Sequence, residues 1–504
     1  MSASFVQEDF GGFNPRFPGV TIKFASSNAF DEFQNFILNS SVPNDRPDLG
    51  VVAVRSVLDH EIRHYHDFLI SPYGAMIFRL HLQALVNGAS ALHLIKNLAG
   101  HHVPIPISRW VQLRDREREE QKGEWRETLK LSGKGCHDFV ALPYFSNEDF
   151  KKELPLGVWQ GRKLNPDVFL KRVVEAACRS YVRMEELTAG FAKESELPEL
   201  TPYNLAEVLG LAAQSQSIWN GQGQEAAEVF LAAVDELQLP YAQLWKRLWS
   251  FVINLEEAIQ VKSPGAQLPR IDQIAAIASW CLLGNYQIDG TNACPAVRFL
   301  KLARHLVSAH SVSDIATNVA RTWDNWDRGA GVTPWRKALQ ETLATSARGV
   351  QLYEKLVNEE SAPEQVAQVM KRYAIDQRRV INHLLSHPDD IVHMNSYCNL
   401  PRGTLPDPLV RIELDGIGFP VDSLKDTAFM PVWTLGEKSQ ELATKVVLRL
   451  AADVEERLSE AIAFEDLMLS CDLVFSNHEL PGDMQMYARR EVERFLGKRL
   501  VALI

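Results

Sequence analysis

The segment Asp59-His60-Glu61-Ile62-Arg63-His64 constrains this chain more than any other part of it. It lies in a run of helical character that starts near Gly50 and extends through Leu69. Because residues four apart lie one above the other on a helix, His60 and His64 present their imidazoles on the same face. Apolar residues on either side of the segment give the helix a face to bury. The sequence therefore predicts a partly buried helix that carries two histidines and a glutamate side by side.

Two imidazoles at this spacing, with a glutamate beside the first, are the pattern of a zinc-binding helix. We expect His60 and His64 to bind Zn²⁺. Zinc lowers the pKa of a bound water towards about 7, and Glu61 lies where it can accept the proton of that water and pass it to a leaving amine. The sequence thus predicts Glu61 as the general base. The alternative is a motif that occurs by chance on a solvated helix.

The next two polar residues of the helix are His66 and Asp67. Asp67 lies one turn beyond His64, where its carboxylate can accept the N–H of a ligand histidine and fix its tautomer. A carboxylate on the helix surface is an equal alternative. His66 is two residues from His64 and points to another face, so we do not expect it to bind the metal.

A catalytic zinc site needs a third protein ligand and an open fourth position. Here the continuation HExxHxxGxxH is missing, since Asp67 and Ile70 stand where that pattern has glycine and histidine. The spacing resembles the gluzincin group of zinc metallopeptidases, in which a glutamate on a downstream helix completes the site. The resemblance covers about residues 50–235 and implies a zincin-like core that hydrolyses peptides, with Glu61 as general base.

The gluzincin glutamate is usually followed, three positions later, by a small residue that lets its helix approach the metal. Two segments fit this pattern, namely Glu207 with Gly210 and Glu186 with Ala189. We prefer Glu207 because its helix is apolar almost all round, where a lone carboxylate is costly unless it meets a cation. Glu186 stays open as the alternative third ligand, in a more charged helix where a surface salt bridge would also explain it.

Other candidate site residues are less specific. A tyrosine, histidine or arginine that faces the zinc often stabilises the transition state, and the sequence does not choose among Tyr73, Tyr181, Tyr203 and His137. His383 and His387 are also four apart, so a second metal site is conceivable there. Pro388 ends that helix, and the sequence favours a polar turn.

The sequence predicts a mainly α chain with small β elements, made of a zincin-like helical core and additional helical domains. Residues 19–24 and 409–414 are predicted strands, and the tryptophan-rich segment 323–329 is predicted as a turn. Composition and periodicity predict four parts. They are an N-terminal segment with a short strand (1–50), the catalytic core (51–240), a helical domain (241–385), and a mixed segment followed by C-terminal helices (386–504).

Charge and hydropathy limit the classes of molecule with which this chain is expected to associate. The net charge is −11 and the basic runs are mixed with acids, which does not favour nucleic-acid binding. No hydrophobic stretch reaches the ~20 residues of a membrane span. The six cysteines form no CxxC pair and the N-terminal segment does not resemble a secretory signal, so we expect reduced thiols and a cytoplasmic protein.

The leading interpretation is a cytoplasmic zinc-dependent peptidase whose substrate is a selected protein or peptide, in a regulatory, toxin or defence role. One alternative is a non-enzymatic helical scaffold with a residual or structural zinc site. The other is a zinc hydrolase of non-peptide substrates, because zinc-water chemistry does not reveal which acyl group is attacked. The sequence does not predict the oligomeric state.

Overall fold

The computed structural model describes residues 11–14, 19–24, 49–78, 101–105, 197–258, 267–309, 318–358, 364–401, 403–414, 428–431, 493 and 497–502. Of these residues 81% are helical, so the chain is mainly α, as predicted. Its contacts divide it into two units. The first combines residues 1–76, 190–346 and 373–449, and the second combines residues 77–189, 347–372 and 450–504. The four-part division of the sequence stays a prediction.

The elements are numbered in chain order. They are β1 (Gly11–Asn14), β2 (Gly19–Phe24), α1 (Leu49–Ile70), β3 (His102–Ile105), α2 (Pro202–Gln222), α3 (Gln224–Glu236), α4 (Pro240–Ala258), α5 (Gln267–Leu282), α6 (Tyr286–Asp289), a 3-10 helix (Gly290–Ala293), α7 (Pro295–Ala309), α8 (Val319–Ala330), α9 (Trp335–Asn358), α10 (Glu364–Ser386), α11 (Pro388–Val392), α12 (Met394–Cys398), β4 (Leu409–Leu414), β5 (Ala428–Pro431) and β6 (Arg499–Ala502). Within these described parts, no helix has the length and apolar character to cross a membrane. The C-terminal helices expected after the mixed segment lie outside the described residues.

The first unit contains a four-stranded sheet in the order β1-β2-β4-β5. Both predicted strands are confirmed as β2 and β4, which pair in parallel with Val20 opposite Val410. The outer strands β1 and β5 pair antiparallel to them. Phe13 of β1 packs its ring on Tyr65 and Phe68 of α1, at centroid distances of 6.4 and 5.2 Å. The sheet therefore supports the helix that carries the histidine motif. In the second unit, β3 pairs in parallel with β6.

Helix α2 is buried along most of its length because small and apolar residues occupy most of its positions. Its first turn is stabilised by Thr201, whose hydroxyl accepts a hydrogen bond from the Asn204 N–H at 3.1 Å, and by Pro202 at the first helical position. It ends at Gly223, where φ is +89°. Its fully buried residues include Leu205, Val208, Leu209, Ala212 and Ala213.

The tryptophan-rich segment is helical, which corrects the expectation of a turn. It forms the second half of α8, which begins after Asn318, whose side-chain oxygen accepts from the Arg321 N–H at 2.8 Å. Trp323 and Trp326 lie three apart and are 0% and 3% exposed. Their burial on one face outweighs the turn preference of the Asp, Asn and Gly residues around them. These tryptophans are packing anchors.

Polar contacts of Asp272 and His393 connect α5 to the short helices α11 and α12. His393 Nδ1 lies 3.1 Å from the Asp272 carboxylate of α5, and the Met394 N–H donates to the same carboxylate at 2.8 Å. Asp389 approaches the other ring nitrogen of His393 at 3.5 Å. The hydrogen bond to Asp272 raises the pKa of His393 above its ordinary value, and partial burial opposes this only in part.

The raised pKa of His393 makes part of the stability depend on pH. Its contribution is complete below the unfolded pKa of about 6.5 and is lost as the pH rises through the higher folded pKa. We expect the difference in free energy of unfolding between the natural chain and His393→Gln to shrink from pH 6 to pH 9. Urea unfolding at several pH values measures it, with the exposed His101→Gln as control. A difference that does not change with pH would contradict the assignment.

Candidate metal centre

Helices α1 and α2 run antiparallel, and polar side chains on one face of α2 follow the motif along α1. The hydroxyl of Ser217 donates to Asp59 at 2.5 Å, near the start of the motif. At the other end, Glu207 Oε2 lies 3.5 Å from His64 Nε2. Positions 207 and 217 are ten residues apart, almost three helical turns, so these side chains project from the same side of α2. This pairing brings a helix about 150 residues downstream against the histidines.

The structure brings together His60, His64 and Glu207, the metal ligands preferred from the sequence. The Nε2 atoms of His60 and His64 lie 3.3 and 3.5 Å from the same oxygen, Glu207 Oε2. Within the described residues, these three side chains form one of two groups whose ligand atoms all lie within 4.8 Å of one another. The side chains are 11%, 8% and 14% exposed, so the cluster lies just below the protein surface.

The two distances from the imidazole nitrogens to Glu207 Oε2 fit zinc. A tetrahedral Zn²⁺ with bonds of about 2.0–2.1 Å holds its ligand atoms about 3.3 Å apart. A direct hydrogen bond between an imidazolium and a carboxylate is shorter, at about 2.7–2.9 Å. The observed 3.3 and 3.5 Å agree with the first value. The donor set of two imidazoles and one carboxylate is also one that zinc accepts.

Gln214 orients the first histidine. His60 Nδ1 lies 3.1 Å from the side-chain oxygen of Gln214, which can only accept, so Nδ1 carries the proton. The lone pair of Nε2 then faces Glu207, as a metal ligand requires. The sequence interpretation missed Gln214. The available signal was its position seven residues after Glu207, as a polar residue on the same face of an apolar helix.

Asp67 differs from both expectations, since it neither accepts from a ligand histidine nor lies on the surface. It is 2% exposed, and its two oxygens accept from Arg63 Nε at 3.1 and 3.0 Å. Arg63 precedes it by one turn on the same helix, and a bidentate guanidinium pair satisfies the carboxylate better than one imidazole N–H. Arg63 also donates to the Ile391 carbonyl at 2.6 Å and to Ser279 at 3.3 Å. The pair therefore ties α1 to α5 and α11.

His66 lies apart from the ligand group, as expected. Its Nε2 donates to the Pro406 carbonyl at 2.8 Å, and its Nδ1 accepts from the Tyr397 hydroxyl at 2.7 Å. Burial lowers its pKa to about 4, so it is neutral. With both ring nitrogens occupied, His66 has no lone pair left for a metal.

Glu61 is buried beside the ligands and carries an unused acceptor. It is 7% exposed, and its Oε2 has no hydrogen-bond partner among the described residues. Burial raises the pKa of Glu61, while His64 and His60 lower it in part. A buried carboxylate oxygen without a donor is costly, and a water held by a metal would supply the missing hydrogen bond. This orphaned atom is a second observation that fits a zinc ion with a bound water.

The charge of Glu207 is stabilised by its neighbours. Burial alone would raise its pKa, but His64 and His60 outweigh burial and hold the pKa of Glu207 well below its ordinary value. Tyr203, one turn earlier on α2, lies near the same carboxylate and is 61% exposed, and burial of its hydroxyl together with the charge of Glu207 raises the pKa of Tyr203. Among the tyrosines and the histidine considered for transition-state stabilisation, Tyr203 thus lies near the cluster. The other candidates Tyr181 and His137, and the alternative ligand Glu186, lie outside the described residues.

The third feature that fits the site is the close approach of α2 at Gly210. A Cβ placed on Gly210 would lie 2.6 Å from His60 Nε2, closer than real Cβ atoms come to other atoms. The small residue expected three positions after the glutamate therefore has a physical reason. It lets the backbone of α2 pass directly over the first imidazole.

We expect Gly210→Ala to weaken metal binding at least about tenfold, because the imidazole must move off its position. Alanine inside a helix ordinarily stabilises the helix by about 1 kcal/mol relative to glycine. Weaker metal binding by Gly210→Ala would therefore not result from a less stable helix. Isothermal titration with Zn²⁺ measures the affinity. Gly12→Ala is the matched control, since a Cβ there meets nothing within 4 Å. Equal affinities of Gly210→Ala and the natural chain would show that α2 is not this close to His60.

Comparison of the chain with protein-family models, curated proteins and solved structures finds no match. What the cluster of His60, His64, Glu207 and Glu61 does must therefore be inferred from its own chemistry. That chemistry is two imidazoles and one carboxylate whose ligand atoms lie within 4.8 Å of one another, with a second carboxylate beside them.

Proposed function

We propose that this chain is a zinc-dependent metallopeptidase of gluzincin type, with a zincin-like core formed around α1 and α2. The observation that carries the proposal is the convergence of His60 Nε2 and His64 Nε2 on Glu207 Oε2, beside the unpaired Oε2 of Glu61. His60, His64 and Glu207 would hold the ion. Zinc, when bound, supplies Lewis acidity that activates a water and polarises a substrate carbonyl.

The protein groups around the ion have separate tasks. Glu61 accepts the proton of the attacking water and delivers it to the leaving amine. Gln214 holds His60 in the tautomer that binds metal, at 3.1 Å from its Nδ1. Tyr203 lies near the Glu207 carboxylate on the exposed side, where it can interact with a substrate. Arg63 and Asp67 keep the motif helix in place.

Two observations favour a catalytic site over a structural one. A structural zinc site has four protein ligands, whereas the group formed by the described residues has three. The Glu207 side chain is 14% exposed and the nearby Tyr203 is 61% exposed, so the cluster is within reach of a substrate from solvent. These features speak against a scaffold with a structural zinc. The described cysteines Cys281, Cys294 and Cys398 are free thiols, which supports the proposal of a cytoplasmic enzyme.

The proposal is tested by exposing a peptide library, made from a proteome digest, to the zinc-loaded full chain and identifying new termini by mass spectrometry. We expect cleavage by the natural chain and by the exposed control His101→Ala, and none by His64→Ala. A parallel panel of esters and non-peptide amides covers other acyl groups. Hydrolysis confined to that panel, with the same dependence on His64, would replace the peptidase by a non-peptide zinc hydrolase. Bound zinc without any hydrolysis would favour the scaffold.

A further inference from the structure

A second group of metal-binding side chains lies where α10 meets α11, away from the candidate catalytic cluster. His383 is in the last turn of α10, His387 is the residue that precedes α11, and Asp390 is in the first turn of α11. Their ligand atoms all lie within 4.8 Å of one another. His383 Nε2 is 3.0 Å from Asp390 Oδ2, and the two imidazole rings lie 26° from parallel with centroids 5.1 Å apart.

The backbone between α10 and α11 fixes the three side chains relative to one another. The His387 N–H donates to the His383 carbonyl at 2.7 Å, and the Asp390 N–H donates to the His387 carbonyl at 3.2 Å. Pro388 is buried and occupies the first position of α11. The chain leaves helical geometry at His387, where φ is −138° and ψ is 64°, and these two backbone hydrogen bonds keep positions 383, 387 and 390 close to one another. Such a site would need little reorganisation to bind an ion.

The chemistry of the group selects the class of ion. Imidazole nitrogens suit zinc, copper, nickel and cobalt, whereas magnesium and calcium prefer oxygen ligands alone. His387 is exposed, and the side chains of His383 and Asp390 are 16% and 35% exposed. Solvent can therefore complete the coordination, and an ion can enter without opening the fold.

We propose that His383, His387 and Asp390 bind a second divalent transition-metal ion, with Zn²⁺ as the expected occupant. A simple ion pair between His383 and Asp390 is the other explanation of the 3.0 Å contact. That explanation gives no role to His387, whose ring faces the ring of His383. The two explanations therefore differ in what His387 does.

The second ion would act on the candidate catalytic helix through one hydrogen bond. Ile391 follows Asp390 directly, and its carbonyl accepts from Arg63 at 2.6 Å. Arg63 lies between His60 and His64 on α1. An ion that clamps Asp390 to α10 also fixes the carbonyl that anchors Arg63. The second site would thus stabilise the geometry of the first without touching a substrate.

The test titrates the full chain with Zn²⁺ alone in a His64→Ala background, which removes the first site whatever its function. We expect about one equivalent to bind, and to be lost when His387→Ala is added. Asp390→Asn should weaken binding at least about tenfold, since an amide oxygen is a poorer ligand than a carboxylate. The exposed control His101→Ala should bind as the background does. Because His387 is exposed, its replacement does not endanger folding, and circular dichroism checks this.

Binding that is unchanged by both His387→Ala and Asp390→Asn would overturn the proposal and leave His383 and Asp390 as an ion pair. Absence of any bound zinc in the His64→Ala background would overturn it equally. Neither result bears on the catalytic proposal, because that site is already disabled in this background. Loss of the bound zinc with His387→Ala, and not with His101→Ala, assigns the second ion to the turn between α10 and α11.

Discussion

Glu61→Gln is expected to keep zinc bound and to lower the rate of hydrolysis by roughly 10²- to 10⁴-fold, the usual contribution of a general base. Glutamine has the size of glutamate, so it fits a position that is 7% exposed. Its amide cannot take the proton of the attacking water. The three ligands His60, His64 and Glu207 are untouched, so the affinity for zinc should change little.

The rate of appearance of new peptide termini, at a fixed concentration of zinc-loaded protein, measures the effect of Glu61→Gln. Glu225→Gln on α3 is the matched control, because Glu225 is exposed and outside the cluster. Elemental analysis of the same samples reports the zinc. Hydrolysis by zinc-loaded Glu61→Gln at the rate of the natural chain would remove Glu61 from the mechanism. Loss of zinc in this variant would instead make Glu61 a ligand.

Arg63→Met is expected to lower the free energy of unfolding by about 3–5 kcal/mol, which is typical when one partner of a buried ion pair is removed. The side chains of Arg63 and Asp67 are 0% and 1% exposed, so the remaining carboxylate would have no access to water. The Ile391 carbonyl would also lose its donor. Both effects act on the helix that carries His60 and His64, so zinc affinity should fall together with stability.

A double variant separates the ion pair from the packing. Arg63→Met with Asp67→Leu should recover much of the lost stability, because apolar replacement of a whole buried pair is often nearly neutral. Arg55→Met is the exposed control, since the Arg55–Asp59 pair is 3.9 Å long and 44% and 27% exposed. It should cost less than about 1 kcal/mol. Urea unfolding followed by tryptophan fluorescence measures all three, and a double variant no more stable than Arg63→Met would contradict the explanation.

Local geometry explains why the sequence located so much of this site. The i, i+4 spacing of His60 and His64 depends only on the helix, and α1 begins and ends within about one residue of the predicted bounds. Glu207 could be selected because a single carboxylate in an apolar helix needs a cation. The close approach of Gly210 to His60 gives that selection a reason in the backbone.

The features that the sequence did not reveal depend on distant contacts. Whether Asp67 faces solvent or a buried arginine is decided by α5 and α11, which come more than 200 residues later. Gln214 becomes a partner of His60 only once α1 and α2 pair. The predicted end of the helix before Pro388 is confirmed, since α10 ends at Ser386, but the sequence did not reveal that the short helix α11 follows and places Asp390 beside His383. In α8, burial of the tryptophans decided the structure over local turn preference.

The zinc content and ligand shell of the full chain test the central claim most directly. His387→Ala removes the second site, so X-ray absorption at the zinc edge then reports the ligand atoms of the first site alone. We expect one zinc with two imidazoles and oxygen ligands, lost in Glu207→Gln and kept in Glu186→Gln. Zinc that survives Glu207→Gln and is lost in Glu186→Gln, or no zinc at all after zinc-replete expression, would contradict the account.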